Sequence, residues 1–253
     1  MELTHYQSLI GAYGLALLLW RLAHHFLPHL WAETYEPQFK TPWKELVGVI
    51  LATVAVLVIG VVYTKYGLIP KIKQVPYIIG VLNQGLIFSP ALLWLLWRKD
   101  AFKSAWLPNQ FIAQRIFIGL AIALITIGMF LVLRKGSNGY GQVLAETYQL
   151  KNLPYLAQVL GEDFVIALFF VRFQALIGKR LAIIIVAALF AAGHIPAFLA
   201  NGVTWAEMQS LIFDALLSIG IISVLQRSSD IWWFWMVHFA MDMMQFYSTS
   251  AKV

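Results

Sequence analysis

Phe111 to Leu133 reads FIAQRIFIGLAIALITIGMFLVL, an apolar stretch whose one charge, Arg115, stands near its start. A hydrocarbon core about 30 Å thick is crossed by about 20 predominantly apolar residues of helix, and this stretch supplies them without a proline. Similar stretches recur near Ser8–Leu27, Glu45–Tyr63, Tyr77–Trp97, Pro154–Phe173, Leu181–Ala200, Met208–Gln226 and Ile231–Tyr247. Together they predict an all-α, polytopic membrane helix bundle of about eight transmembrane helices. The last stretch is short for a full span and is expected to tilt or to cap at the interface.

Composition agrees. Of 253 residues 60% are hydrophobic and 12% charged, whereas ordinary soluble domains are about a quarter charged. The formal charge of +6 comes from lysines and arginines in short connections, such as Lys71 with Lys73 and Lys179 with Arg180. Cations placed there meet anionic headgroups, so the charge implies a lipid bilayer and no nucleic acid. The chain has no cysteine, which excludes disulfides, thiolate metal sites and a cysteine nucleophile. Met1 to Thr4 lack the basic start of a signal peptide, so the first apolar run is expected to remain as helix. With no long linker and no internal repeat, residues 1–253 read as a single integral membrane domain.

Two connections stand out. Pro28 to Trp43 is rich in Pro, Trp and Tyr, including Trp31, Tyr35 and Trp43, and reads as an interfacial connector of amphipathic aromatics. Gly136 to Gly141 reads as a flexible loop ahead of the segment that carries Glu162.

Five ionisable residues fall inside the apolar segments: Glu162, Asp163, His194, His238 and Asp242. Each such group costs about 2.5–3.5 kcal/mol at the bilayer centre on insertion scales, so it must face the bundle interior and find partners. Their depths agree. Counted along the predicted helices from one membrane face, Glu162 lies roughly 12 Å deep, His194 roughly 9 Å, His238 roughly 14 Å and Asp242 roughly 8 Å. His238 and Asp242 are one turn apart on one helix face, as are Phe190 and His194, which sets an aromatic wall beside that imidazole. Glu162 and Asp163 project about 100° apart, so one is expected to serve chemistry and the other a structural partner. A single membrane histidine is more often a buried hydrogen-bonding residue than a catalyst. Two acidic and two imidazole-bearing elements in one leaflet form a pattern that packing does not require. Asp214 is a further intramembrane acid with two roles open to it, joining the site or pairing with Arg227 or with Ser210 or Ser218 one turn away, and the pairing is the one expected.

Glu162-Asp163, Phe190-Ala191-Ala192-Gly193-His194 and His238-Phe239-Ala240-Met241-Asp242 resemble, in order, the EExxxR, FxxxH and HxxxN/D signatures of the CPBP intramembrane proteases. This is the CAAX prenyl protease and bacteriocin-processing family, also called Abi. Arg227 through Trp232 is similar to that family's Arg-Thr-Gly-Ser-Leu-Trp stretch, and the likeness covers about residues 154–247. It implies a glutamate-type endopeptidase, with Glu162 activating water, His194 assisting, and His238 with Asp242 stabilising the oxyanion. Asp242 would orient the imidazole, with Asp163 and Phe190 supporting. The implied substrate is a membrane-associated or prenylated peptide or protein, and the implied location a prokaryotic plasma membrane, crossed several times. Where the family motif has a second glutamate this chain has Asp163, and where it has arginine this chain has Ala167. Arg172 lies about 15 Å along the helix from Glu162, too far to replace that arginine.

Other readings stay open. Ala167 leaves room for an inactive membrane scaffold or bacteriocin immunity protein. Two histidines and a carboxylate are also a zinc-ligand combination, but the histidines come from different helices with no HExxH pairing, so no metal and no other cofactor is expected. A proton-coupled transporter would place carboxylates and histidines at mid-membrane as well. It ranks last, since the halves show no matching Gly/Pro-broken helices.

Overall fold

The computed structural model describes residues 5–31, 35–65, 76–99, 102–134, 139–195 and 210–250, with the side chains of 64, 65, 210 and 245–250 excepted. Nine α-helices run through the described residues, with no strand among them. They are α1 (His5–Phe26), α2 (Pro42–Lys65), α3 (Tyr77–Arg98), α4 (Ile112–Leu133), α5 (Tyr140–Thr147), α6 (Leu153–Ile177), α7 (Lys179–Gly193), α8 (Ser210–Ser228) and α9 (Trp232–Ser250). The all-α membrane architecture read from the apolar runs is therefore the observed one.

Five of these helices are long and apolar enough to cross a membrane: α1, α2 over Pro42–Tyr63, α3, α4 and α8 over Leu211–Ser228. The helices that carry the ionisable set, α6, α7 and α9, are not among the five. Glu162, Asp163 and Arg172 lower the apolarity of α6, and α7 has only 15 described residues. The expected continuation of α7 beyond Ile195 to Ala200 lies outside the described residues, as do Lys71, Lys73, the first half of the Gly136–Gly141 loop and the start of the Met208–Gln226 stretch.

Packing follows from small residues and large rings. Helix α4 lies against α9 and α1, α6 against α3, α7 and α2, and α7 against α8. At Gly119 a Cβ would collide with the backbone of Trp233, so glycine is what lets α4 and α9 approach this closely. Gly161 acts likewise under the ring of Phe88, seating α3 on α6 one residue before Glu162. Helix α6 starts with Pro154 in its first turn, where the missing N–H has no intrahelical role, and stops at Gly178, whose φ of 81° is left-handed.

Two connections take a form that the sequence reading does not specify. Trp31 is buried within the protein. It is 2% exposed and packs edge-on to Trp20 at 6.0 Å, and its indole N–H donates to Asp230 at 2.8 Å. A buried acceptor elsewhere in the chain, absent from any local pattern, draws the ring inward. The segment after Gly139 is not loop but the short helix α5, anchored by the Tyr140 hydroxyl donating to the carbonyl of Leu124 at 2.8 Å.

Candidate active site

Helix α6 supplies Glu162 and Asp163 in succession, and the packing of α9 across α6 decides what each meets. Asp163 is buried and points at α9. His238 Nδ1 lies 2.8 Å from Asp163 Oδ1, the ring N–H donating to the carboxylate. One turn further along α9, Asp242 Oδ1 lies 3.7 Å from His238 Nε2. The shorter contact to the imidazole thus comes from Asp163, and Asp242 flanks the opposite nitrogen. Glu162 is half-buried and takes a hydrogen bond at its Oε1 from the Gln158 amide, one turn earlier, at 2.8 Å. Ligand atoms of Glu162, His238 and Asp242 all lie within 4.8 Å of one another.

Rings build the walls. Phe234, one turn before His238 on α9, sits 5.5 Å from the imidazole. Phe190 of α7 stands between the two histidines, 4.9 Å from His194 and 6.1 Å from His238, edge-on to both. His194 caps α7, and its Nδ1 is 3.0 Å from the Phe190 carbonyl. That oxygen can only accept, so Nδ1 carries the proton and Nε2 stays out of that contact. His194 interacts electrostatically with Glu162, Asp242 and Asp214. The structure therefore gathers Glu162, Asp163, His238 and Asp242 into direct contact range and sets His194 one aromatic ring away.

The arginine missing from the α6 motif has left a trace. Ala167 is fully buried, one turn after Asp163, and Asp163 Oδ2 is buried with no hydrogen-bond partner. Arg172 serves elsewhere: it donates to the carbonyl and hydroxyl of Ser104 and lies 4.9 Å from the rings of Phe39 and Trp94. Asp214 is half-buried on α8 and interacts electrostatically with His194.

Some of this was not read from the sequence. Gln158 could have been found, being one turn before Glu162 on the same face. Tyr13 carries no such signal: it comes from α1, is buried beside Phe234 at 6.4 Å, and interacts electrostatically with Asp163, Asp214 and Asp242.

Glu162, His238 and Asp242 are a donor set that zinc accepts, and a carboxylate on the far ring nitrogen, as Asp163 is here, commonly backs a ligating histidine. The same four groups can equally polarise a water and hold a developing oxyanion.

Residues 153–244 match the family described as Type II CAAX prenyl endopeptidase Rce1-like. The matched stretch runs from the start of α6 into α9 and contains every member of the cluster. It supports membership of the CPBP family, whose signatures the three motifs resemble, and at family level an intramembrane endopeptidase of the CAAX-protease type. No curated protein and no solved structure matches the chain significantly.

Proposed function

We propose that this protein is an intramembrane glutamic-type endopeptidase whose reaction centre is Glu162, His194, His238 and Asp242. Glu162, assisted by His194, takes a proton from water as the water oxygen attacks the scissile carbonyl carbon. Protonated on both ring nitrogens, His238 donates Nδ1–H to Asp163 and Nε2–H to the oxyanion, and Asp242 fixes that side of the ring. Collapse of the tetrahedral intermediate breaks the C–N bond, and the amine leaves with the proton that Glu162 had taken. Asp163 and Phe190 are positioning residues, one on the His238 ring and one between the two imidazoles.

The observation that carries this reading is the convergence of Glu162, His238 and Asp242 within 4.8 Å, on helices that otherwise bury apolar side chains. Its substrate is a membrane-associated or prenylated peptide, its setting a prokaryotic plasma membrane, and its chemistry free of metal. Residues 1–253 act as one membrane domain, with the reaction confined to about 154–247.

The alternative, a non-cleaving scaffold or immunity protein, is favoured by Ala167 and the unpartnered Asp163 Oδ2 beside it. Purified protein incubated with a membrane peptide library, with and without chelator, separates these readings by mass spectrometry. Products are expected in both arms, and Glu162→Ala or His194→Ala should abolish them while insertion and folding persist. Products that vanish with chelator would move the reading to a metalloprotease. A cellular function that survives Glu162→Ala would move it to a scaffold.

A further inference from the structure

A second polar site lies at the other end of the helices that carry the cluster. Tyr35, Glu36, Gln174, Lys179, Gln226 and Arg227 line a cavity of about 400 Å³, within the range of small-ligand sites. Gln174 is twelve residues beyond Glu162 on α6, so the cavity is about 18 Å along the helix axis from that carboxylate. The end of α6, the start of α7 and the end of α8 meet here. The apolar span of α8 closes at Ser228, which puts Gln226 and Arg227 at headgroup level.

The lining has two signs. Lys179 and Arg227 are exposed cations, and Lys179 opens α7, where free backbone N–H groups add to the positive field. Glu36 faces the same space, and at its wall Gln226 Oε1 is a buried acceptor without a hydrogen-bond partner. A plain anion would use the cations and leave both acceptors idle. A ligand carrying a phosphate and a primary ammonium uses all of them, and at this depth a bilayer offers such a group on its own lipids.

We propose that this cavity binds the headgroup of an aminophospholipid, its phosphate on Lys179 and Arg227 and its ammonium on Glu36 and Gln226. The site stands apart from the reaction centre and holds whether or not the protein cleaves peptides. A phosphocholine headgroup has the same phosphate but no N–H to donate, so the acceptors make the cavity selective.

The test is the unfolding midpoint of the full-length protein in detergent, titrated with phosphatidylethanolamine, phosphatidylcholine, phosphatidylglycerol or inorganic phosphate, with native mass spectrometry of retained lipid. Phosphatidylethanolamine is expected to raise the midpoint most. Lys179→Ala and Arg227→Ala should each weaken its binding about fivefold, as expected for one cation against a lipid phosphate. Glu36→Gln, an exposed change that leaves folding intact, should erase the preference over phosphatidylcholine. Equal stabilisation by the ethanolamine and choline lipids in the unmodified protein would overturn the proposal, as would a larger effect of phosphatidylglycerol. Saturation by inorganic phosphate alone would assign the cavity to a free anion instead.

Discussion

Two buried clusters of charge in this protein are built on opposite terms. At the start of α9, Asp230 has a donor for each oxygen. Its Oδ2 accepts from Arg115 Nη1 at 2.7 Å and from the Trp31 indole at 2.8 Å, and its Oδ1 accepts from the Trp232 backbone N–H at 2.8 Å. Arg115 also donates from Nε to the carbonyl of Gln110 and from Nη2 to that of Leu30. Further along α9, Asp242 and the α6 residues Glu162 and Asp163 crowd the His238 imidazole, and Asp163 Oδ2 has no hydrogen-bond partner. A fully connected buried network rigidifies a fold, and a partly satisfied one is tolerated where it does something else. The first cluster locks α4, the α1–α2 connection and the entry to α9 together. On the function proposed above, the second keeps its hydrogen-bonding capacity for a substrate.

The contrast can be broken in order of size. Arg115→Met leaves Asp230 charged, buried and without its main partner, so unfolding in detergent, followed by tryptophan fluorescence, should show a loss of about 3–5 kcal/mol. Activity per folded molecule should be unchanged; a stable Arg115→Met protein would mean that the knot is not what holds α4 to α9. His238→Gln should behave in the reverse way. Cleavage is expected to fall about 100- to 1,000-fold, the loss of one oxyanion donor worth about 2.7–4 kcal/mol, with stability retained. Severe unfolding there would make the imidazole a structural member like Arg115. Asp163→Asn is the smallest change: the ring keeps a neighbour but loses a charge-assisted bond, so the rate of peptide hydrolysis should drop about tenfold. An unchanged rate would remove Asp163 from the positioning role.

How much of this was legible in the sequence follows the same division. The apolar stretches are local properties, and α1, α2, α3 and α4 fall close to where hydropathy put them. The spacing of His238 and Asp242, and of Phe190 and His194, is also local, and the structure keeps each pair one turn apart. The 100° offset of Glu162 and Asp163 indicated that one would take a structural partner, but the partner's name depended on how α9 crosses α6. Arg115 and Asp230 are 115 residues apart, and no periodicity connects them. The aromatic composition of the Pro28–Trp43 connector marks it as interfacial, but the acceptor that buries the Trp31 ring is 199 residues away. Short α5 lacks the length that marks a span, so hydropathy passes over it.

If the under-satisfied cluster is a reaction centre and not a second structural knot, cleavage depends on Glu162 and folding does not. The direct measurement is peptide cleavage by purified Glu162→Gln protein, with its unfolding midpoint recorded on the same preparation. The rate should lie about 100- to 10,000-fold below that of the unmodified protein, the range of general-base catalysis, at an unfolding midpoint that has not fallen. Cleavage at the unmodified rate, or a loss of activity accompanied by unfolding, would contradict a reaction centre there.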